Sequence, residues 1–501
     1  MSKDKKLQLS RRQFLGQSAC ASMGLTSMIS TLASLRLMNA SVANAAPGGD
    51  YKAIICLFLA GGNDSNNLLV PRSGTLRTNY DAGRGVLAIP SVELNALAAD
   101  NTTDDLGTHP ACADLANLFN AGDLAFTANL GSLAYPFANR DEYLNSLVPR
   151  PPQLFSHSDQ VTQWQSSLPD QPFLSGWGGR MAELLHASYN PSSNVSMSIS
   201  LSGSNNFQVG TSGNVAQFNM GSGGVNVLDG YGSNYSSALE VDGVTYRDTD
   251  QGWRLRGLQE VAKLTHEHLL EDSFADVVMN ARDTEGFIGS ALDDATTAEG
   301  TGGFTFDNLF ANAGATSGLA NRMKMIARLI AGHDSLANNR QIFFVDTGGY
   351  DTHQNMIGSH SNLMTDLNNS VKGFWDSIVQ LGLEDDVLVF TASDFNRTFT
   401  PNGEDASAGS DHGWGGNQFM LGGGVKGKNI YGYYPDLQVG AGLDVGSNRG
   451  RWIPTTAVDQ YSAVIAKWFG ATSNDLEAIF PNLYRFDDPF TVSAANMNFM
   501  L

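Results

Sequence analysis

Short apolar runs that break off at Gly, Asp, Asn or Ser recur along the chain. Ala53-Ile-Ile-Cys-Leu-Phe-Leu-Ala60 runs into Gly61-Gly62-Asn63-Asp64-Ser65-Asn66-Asn67. Leu124-Ala-Phe-Thr-Ala128 runs into Asn129-Leu130-Gly131-Ser132, and Gln341-Ile-Phe-Phe-Val345 into Asp346-Thr-Gly-Gly-Tyr-Asp351-Thr-His353. Val387-Leu-Val-Phe-Thr391 runs into Ala-Ser-Asp394-Phe-Asn-Arg397. Runs of this length without polar alternation predict strands buried on both faces, the habit of a parallel sheet. Helical periodicity falls elsewhere, at 161–165 continuing at 179–187, and at 319–331, 361–381 and 458–469. Strands alternating with helices predict an α/β layered domain.

The stretch from Ser193 to Ser237 has a different texture. It is rich in Gly, Ser and Asn, with an alternating segment Val195-Ser-Met-Ser-Ile-Ser-Leu201. A helical pattern over 252–281 follows, then an acidic, Gly-rich stretch from Asp293 to Phe304 that reads as a linker. Residues 193–304 are therefore expected to form an inserted cap, with 46–192 and 305–501 building the core.

The N-terminus reads as an export signal. Ser10-Arg11-Arg12-Gln13-Phe14-Leu15-Gly16 follows Lys3, Lys5 and Lys6, and a stretch without acidic residues runs on to Met38. Ala43-Asn44-Ala45 has the form of a cleavage site, so 1–45 is expected to be a twin-arginine signal peptide. The stretch is rich in Ser, Thr and Gly and carries Arg36, which makes it a poor permanent anchor. Cys20 lacks the small apolar context of a lipid attachment site. The expected destination is the periplasm or the exterior, with the twin-arginine translocase a partner during export.

Removing those residues changes the charge picture. The whole chain has 30 basic and 50 acidic side chains; without the six basic and one acidic residue of 1–45 the net charge is −25. So acidic a surface argues against nucleic acid and against an anionic membrane as partners. No other segment is long and apolar enough to span a bilayer. The remaining length exceeds that of a usual single domain. Cys56 and Cys112 remain, and could pair in an oxidising compartment. Cys56 sits in a predicted core strand, where a buried free thiol fits better.

In open α/β sheets, ligands bind beyond the carboxyl ends of the strands. This chain puts Asp64 after the first strand, Asp351 and His353 after the strand at 341–345, and Asp394 after the one at 387–391; Asp411-His412 lies on the following loop. Asp351 and His353 are two apart, so an extended loop points both the same way. Such carboxylates and imidazoles converging on one rim would repel one another without a cation. The mixed donors suit zinc first, with manganese or iron as alternatives; calcium or magnesium fit less well because two histidines are on offer. The set is acidic enough for one or two ions, and two would clamp both oxygens of a phosphoryl or sulfuryl transfer.

These residues also carry a resemblance. Phe58-Leu-Ala-Gly-Gly-Asn-Asp-Ser-Asn-Asn67, Asp346-Thr-Gly-Gly-Tyr-Asp-Thr-His353, Ser393-Asp-Phe-Asn-Arg397, Asp411-His-Gly-Trp-Gly415 and Gly422-Gly-Gly-Val-Lys-Gly427 resemble the twin-arginine-exported family labelled DUF1501, a domain of unknown function in the alkaline phosphatase and sulfatase superfamily. The resemblance runs from the signal to about Phe480. It implies an alkaline-phosphatase-like three-layer sandwich, with a metal-bound hydrolytic site at the carboxyl edge. By motif position Asp64, Asp351, His353, Asp394, Asp411 and His412 look like metal ligands. Asp394 stands where most of the family is expected to have Glu, Asn396 where Gly is expected, and Phe395 where superfamily enzymes often have His.

Superfamily enzymes place a nucleophile at a helix start, which points to Ser156 or Ser158 in Phe155-Ser-His-Ser-Asp-Gln160, with Ser65 beside Asp64 another option. His157 and Asp159 could instead complete the metal set. Arg140 and Arg397 could hold an anionic substrate, or form structural ion pairs. The expected function is a metal-dependent hydrolase acting on a small anionic phosphate or sulfate ester. The alternative is a non-catalytic, metal-stabilised protein that binds a periplasmic protein partner. A redox enzyme fits poorly, since neither a G-x-G-x-x-G nor a C-x-x-C-H occurs.

Overall fold

Lys52–Leu59 forms β1, and from Ala53 on its residues alternate between two hydrophobic layers. Ala53, Ile55, Leu57 and Leu59 pack into one buried cluster, while Ile54, Cys56 and Phe58 pack into the other. A strand apolar on both faces must be covered on both, and that requirement sets the architecture. The computed structural model describes residues 50–193, 195–224, 230–231, 235–241, 245–262, 269–445, 448–491 and 497–500. The export signal expected over 1–45, with Cys20, lies outside the described residues. Tyr51–Leu501 forms one compact unit.

Around β1 stand β2 (Leu124–Gly131), β3 (Ser198–Ser200), β4 (Phe218–Asn219), β5 (Arg340–Thr347), β6 (Val387–Ser393), β7 (Gly416–Leu421), β8 (Ile430–Gly432) and β9 (Thr456–Ala457). The order across the sheet is β8-β2-β7-β6-β1-β5-β3-β4, with β9 also pairing β2. Every pairing is parallel except those made by β7, which runs antiparallel to both β2 and β6. Helices cover the two faces: α1 (Ala113–Ala121), α2 (His157–Ser166), α3 (Trp177–Tyr189), α4 (Leu269–Gly302), α5 (Gly318–Ala331), α6 (Met356–Leu381) and α7 (Val458–Phe469). Leu115 of α1, Ile326 of α5 and Val371 of α6 join the first layer; Trp164 of α2, Met181 of α3 and Val464 of α7 join the second. The result is an α/β three-layer sandwich with a largely parallel central sheet.

Two expectations change. The stretch 293–304, read as a linker, is the C-terminal part of α4 as far as Gly302. Ile288, Ala291 and Ala295 recur at helical spacing and are buried against the core, which outweighs the helix-weakening glycines at 300 and 302. Within 193–304, the region expected to be an inserted cap, β3 pairs with β5 and extends the main sheet. Cys56 and Cys112 are both free and buried. No helix among the described residues is long and apolar enough to cross a membrane.

Candidate metal centre

Because β1, β5 and β6 are parallel neighbours, their C-terminal loops emerge along one edge. The loop after β5 delivers Asp351 and His353, the loop after β6 delivers Asp394, and the chain returning into β7 delivers Asp411 and His412. These loops are laced together. The backbone N–H of Thr398 donates to the Asp411 carbonyl at 2.7 Å, and that of Gly413 to the Asn396 carbonyl at 2.7 Å. Gly61 lets the β1 loop approach this close: its φ is +114°, and a Cβ there would meet the Asp351 nitrogen at 2.5 Å.

Three imidazoles converge on one carboxylate oxygen. The Nε2 atom of His412 lies 3.1 Å from that of His157 and 3.0 Å from that of His353. Asp351 Oδ1 lies 3.5 Å from His157 Nε2, 3.0 Å from His353 Nε2 and 3.4 Å from His412 Nε2. Ligand atoms around a tetrahedral zinc with bonds near 2.05 Å stand about 3.3 Å apart. One ligand atom each of His157, Asp351 and His412 lies within 4.8 Å of the others.

The opposite ring nitrogen of each histidine is held from outside. His157 Nδ1 donates to Asp394 Oδ2 at 2.7 Å, His353 Nδ1 to Asp411 Oδ1 at 3.0 Å, and His412 Nδ1 to the Phe155 carbonyl at 2.7 Å. All three partners can only accept, so each Nδ1 carries a hydrogen and each ring turns its Nε2 inward. Burial lowers the His412 pKa from its ordinary value, which keeps that ring neutral. Three Nε2 atoms at this spacing beside one carboxylate oxygen make a donor set that a cation satisfies at once. Outer acceptors on ligating histidines are the usual companions of a metal site. The donor set therefore fits a divalent cation, and its nitrogen content favours zinc over calcium.

Charges around the cluster are balanced in pairs. Burial raises the Asp351 carboxyl, but the Arg397 guanidinium, 2.7 Å from Oδ1, together with His353 and His157, holds it below its ordinary value. Burial likewise raises Asp411, and hydrogen bonds from Arg449, Asn402 and His353 bring it below its ordinary value.

Several predicted residues take other places. Asp394 and Asp411, expected among the metal ligands, face the Nδ1 atoms of His157 and His353 and orient those rings. Asp64 is fully buried, with Oδ2 2.5 Å from Arg84 Nη2 and Oδ1 accepting from Asn66. Its charge is met by a guanidinium, and burial still raises its pKa. Ser65, expected as a nucleophile, donates to Asn396 at 3.1 Å and accepts the Asn417 N–H at 2.7 Å inside the loop packing. Ser158 is exposed beside Ser156 and Asp159. Neither serine hydrogen-bonds a cluster group. Arg397, expected as a possible substrate anchor, is fully buried and committed to Asp351 and to the carbonyls of Gly61 and Ser410. His157, the first residue of α2, takes the central place that the serines on either side of it were expected to take.

The family model described as "Protein of unknown function (DUF1501)" matches residues 234–447. Over that segment the chain is similar to the DUF1501 family. No curated protein matches it. The DUF1501 match contains Asp351, His353, Asp394, Asp411 and His412, while His157 and Arg84 lie upstream of it. The DUF1501 segment thus supplies most of the cluster, and α2 brings the remaining imidazole.

Proposed function

We propose that this protein is an exported, metal-dependent hydrolase of phosphate or sulfate esters, with one divalent cation held by His157, His353, His412 and Asp351. The supporting observation is the set of three Nε2 atoms turned inward by Asp394, Asp411 and the Phe155 carbonyl. A bound cation supplies Lewis-acid polarisation of the ester and activation of water. The protein's part is to fix three rings, pair Asp351 with Arg397 and hold the cluster's geometry before substrate arrives. With Ser65 and Ser158 engaged elsewhere, water is the favoured nucleophile. With Asp64 paired to Arg84, one ion is favoured over two. Export through the twin-arginine pathway, with the periplasm or exterior as destination, belongs to the same proposal and rests on Arg11 and Arg12.

The same two placements favour a second reading, a non-catalytic metal-stabilised binding protein. Zinc-loaded protein assayed on p-nitrophenyl phosphate and p-nitrophenyl sulfate decides between them. Turnover that disappears with His412→Ala supports the hydrolase; stoichiometric metal with no turnover on a broad ester panel supports the binding role.

A further inference from the structure

Three arginines touch the cluster's residues, a fourth lies near the loop behind them, and their nitrogens are committed differently. Arg397 is spent on Asp351, and Arg449 reaches Asp411 Oδ2 at 2.6 Å. Arg451 donates from Nε to the His412 carbonyl at 2.7 Å, and its guanidinium lies over the Phe155 ring, 4.2 Å from the centroid. Arg140 donates from Nε to the Asp444 carbonyl at 2.6 Å. Asp444 also accepts the backbone N–H of Arg451, so both arginines are tied to one residue. The Nη atoms of Arg140 and Arg451 meet no acceptor among the described residues, and both side chains are half-buried.

A guanidinium fixed through Nε and stacked on an aromatic face, with both terminal nitrogens open, is a fork prepared for an oxyanion. Phe155 and His412 supply the fixing contacts, and they are also the two ends of one of the cluster's orienting bonds. In a chain whose net charge is strongly negative, uncommitted guanidinium groups at this position set the only local preference an anion needs. We propose that Arg451 binds a tetrahedral oxyanion, phosphate or sulfate, and so anchors the anionic group of the substrate. This rests on the hydrolase reading for its meaning, though anion binding itself does not require turnover.

The test is calorimetric titration of inorganic phosphate, and separately inorganic sulfate, into the mature protein with and without zinc. Wild type is expected to bind in both states. Arg451→Gln is expected to weaken binding about 10-fold or more, the worth of a charge-assisted hydrogen bond. Arg451→Lys keeps the charge but not the fork, so it is expected to lose most of the affinity as well, and it serves if the Gln variant does not fold. No binding by wild type, or equal binding by wild type and both variants, overturns the proposal. Weakened phosphate binding in a protein that takes up no zinc and cleaves no ester sinks the hydrolase reading and leaves the anion site standing. Zinc-dependent turnover with phosphate affinity unmoved by either variant does the reverse.

Discussion

Each ring nitrogen at the centre has a separate task, and single substitutions can separate them. Asp394→Asn keeps the oxygen that accepts the Gly61 N–H but removes the charge that orients His157. It is expected to lower zinc affinity about 10- to 100-fold with the fold intact, as read by chelator competition. Unchanged affinity would remove Asp394 from that role. Asp64 provides the contrast. Arg84→Met strands a fully buried carboxylate and is expected to cost about 3–5 kcal/mol in urea unfolding. Asp64→Asn, though destabilising, is expected to leave metal content at one ion per chain; loss of the ion would restore Asp64 as a ligand. The sequence shows Asp351 and His353 as a pair because they lie two apart at a strand's end. It cannot show which carboxylates face a metal and which face an imidazole, since the His157–Asp394 bond spans 237 positions. His157 was within sight, flanked by two serines at a predicted helix start, but only the fold shows that the ring and not the hydroxyls reaches the cluster.

The long elements were legible because burial writes them directly into the pattern. β1, β5 and β6 are continuous apolar runs, and α7 spans the residues its periodicity predicts. β7 was missed; Gly416-Asn-Gln-Phe-Met-Leu421 begins with polar residues that face loop groups at the site edge, as Asn417 does toward Ser65 and Asn129. The far end of α4 was missed because its glycines and acids read as a linker, while small residues such as Ala291 and Ala295 carry its buried face. One element also carries a pH dependence. Burial raises the Asp459 carboxyl in the first turn of α7 to about 7, an effect that Ser167 and Arg180 only partly offset. The folded state thus holds a proton that the unfolded chain, near its ordinary 3.8, has released. This contribution to stability is complete below pH 3.8 and is lost as pH rises through about 7. Asp459→Asn is expected to flatten the decline between about pH 4 and 7 in urea unfolding. An equally steep decline in the variant would assign the dependence to other groups.

At the scale of the whole molecule, the cluster joins the loops after β5 and β6 and the start of α2, so an ion there would hold three parts of the chain in one place. Saturation at 100 times the dissociation constant is worth about 2.7 kcal/mol of stability. Chelation is therefore expected to lower the melting temperature, and zinc to restore it; a melting curve indifferent to both would separate the cluster from the fold's stability. The measurement that bears most directly on the account is elemental analysis of the purified protein combined with X-ray absorption at the edge of the metal found. One ion per chain, with imidazole nitrogens and a carboxylate oxygen as its neighbours and lost on His157→Ala, is the predicted result. A chain that carries no metal as isolated and takes up none on reloading would contradict it.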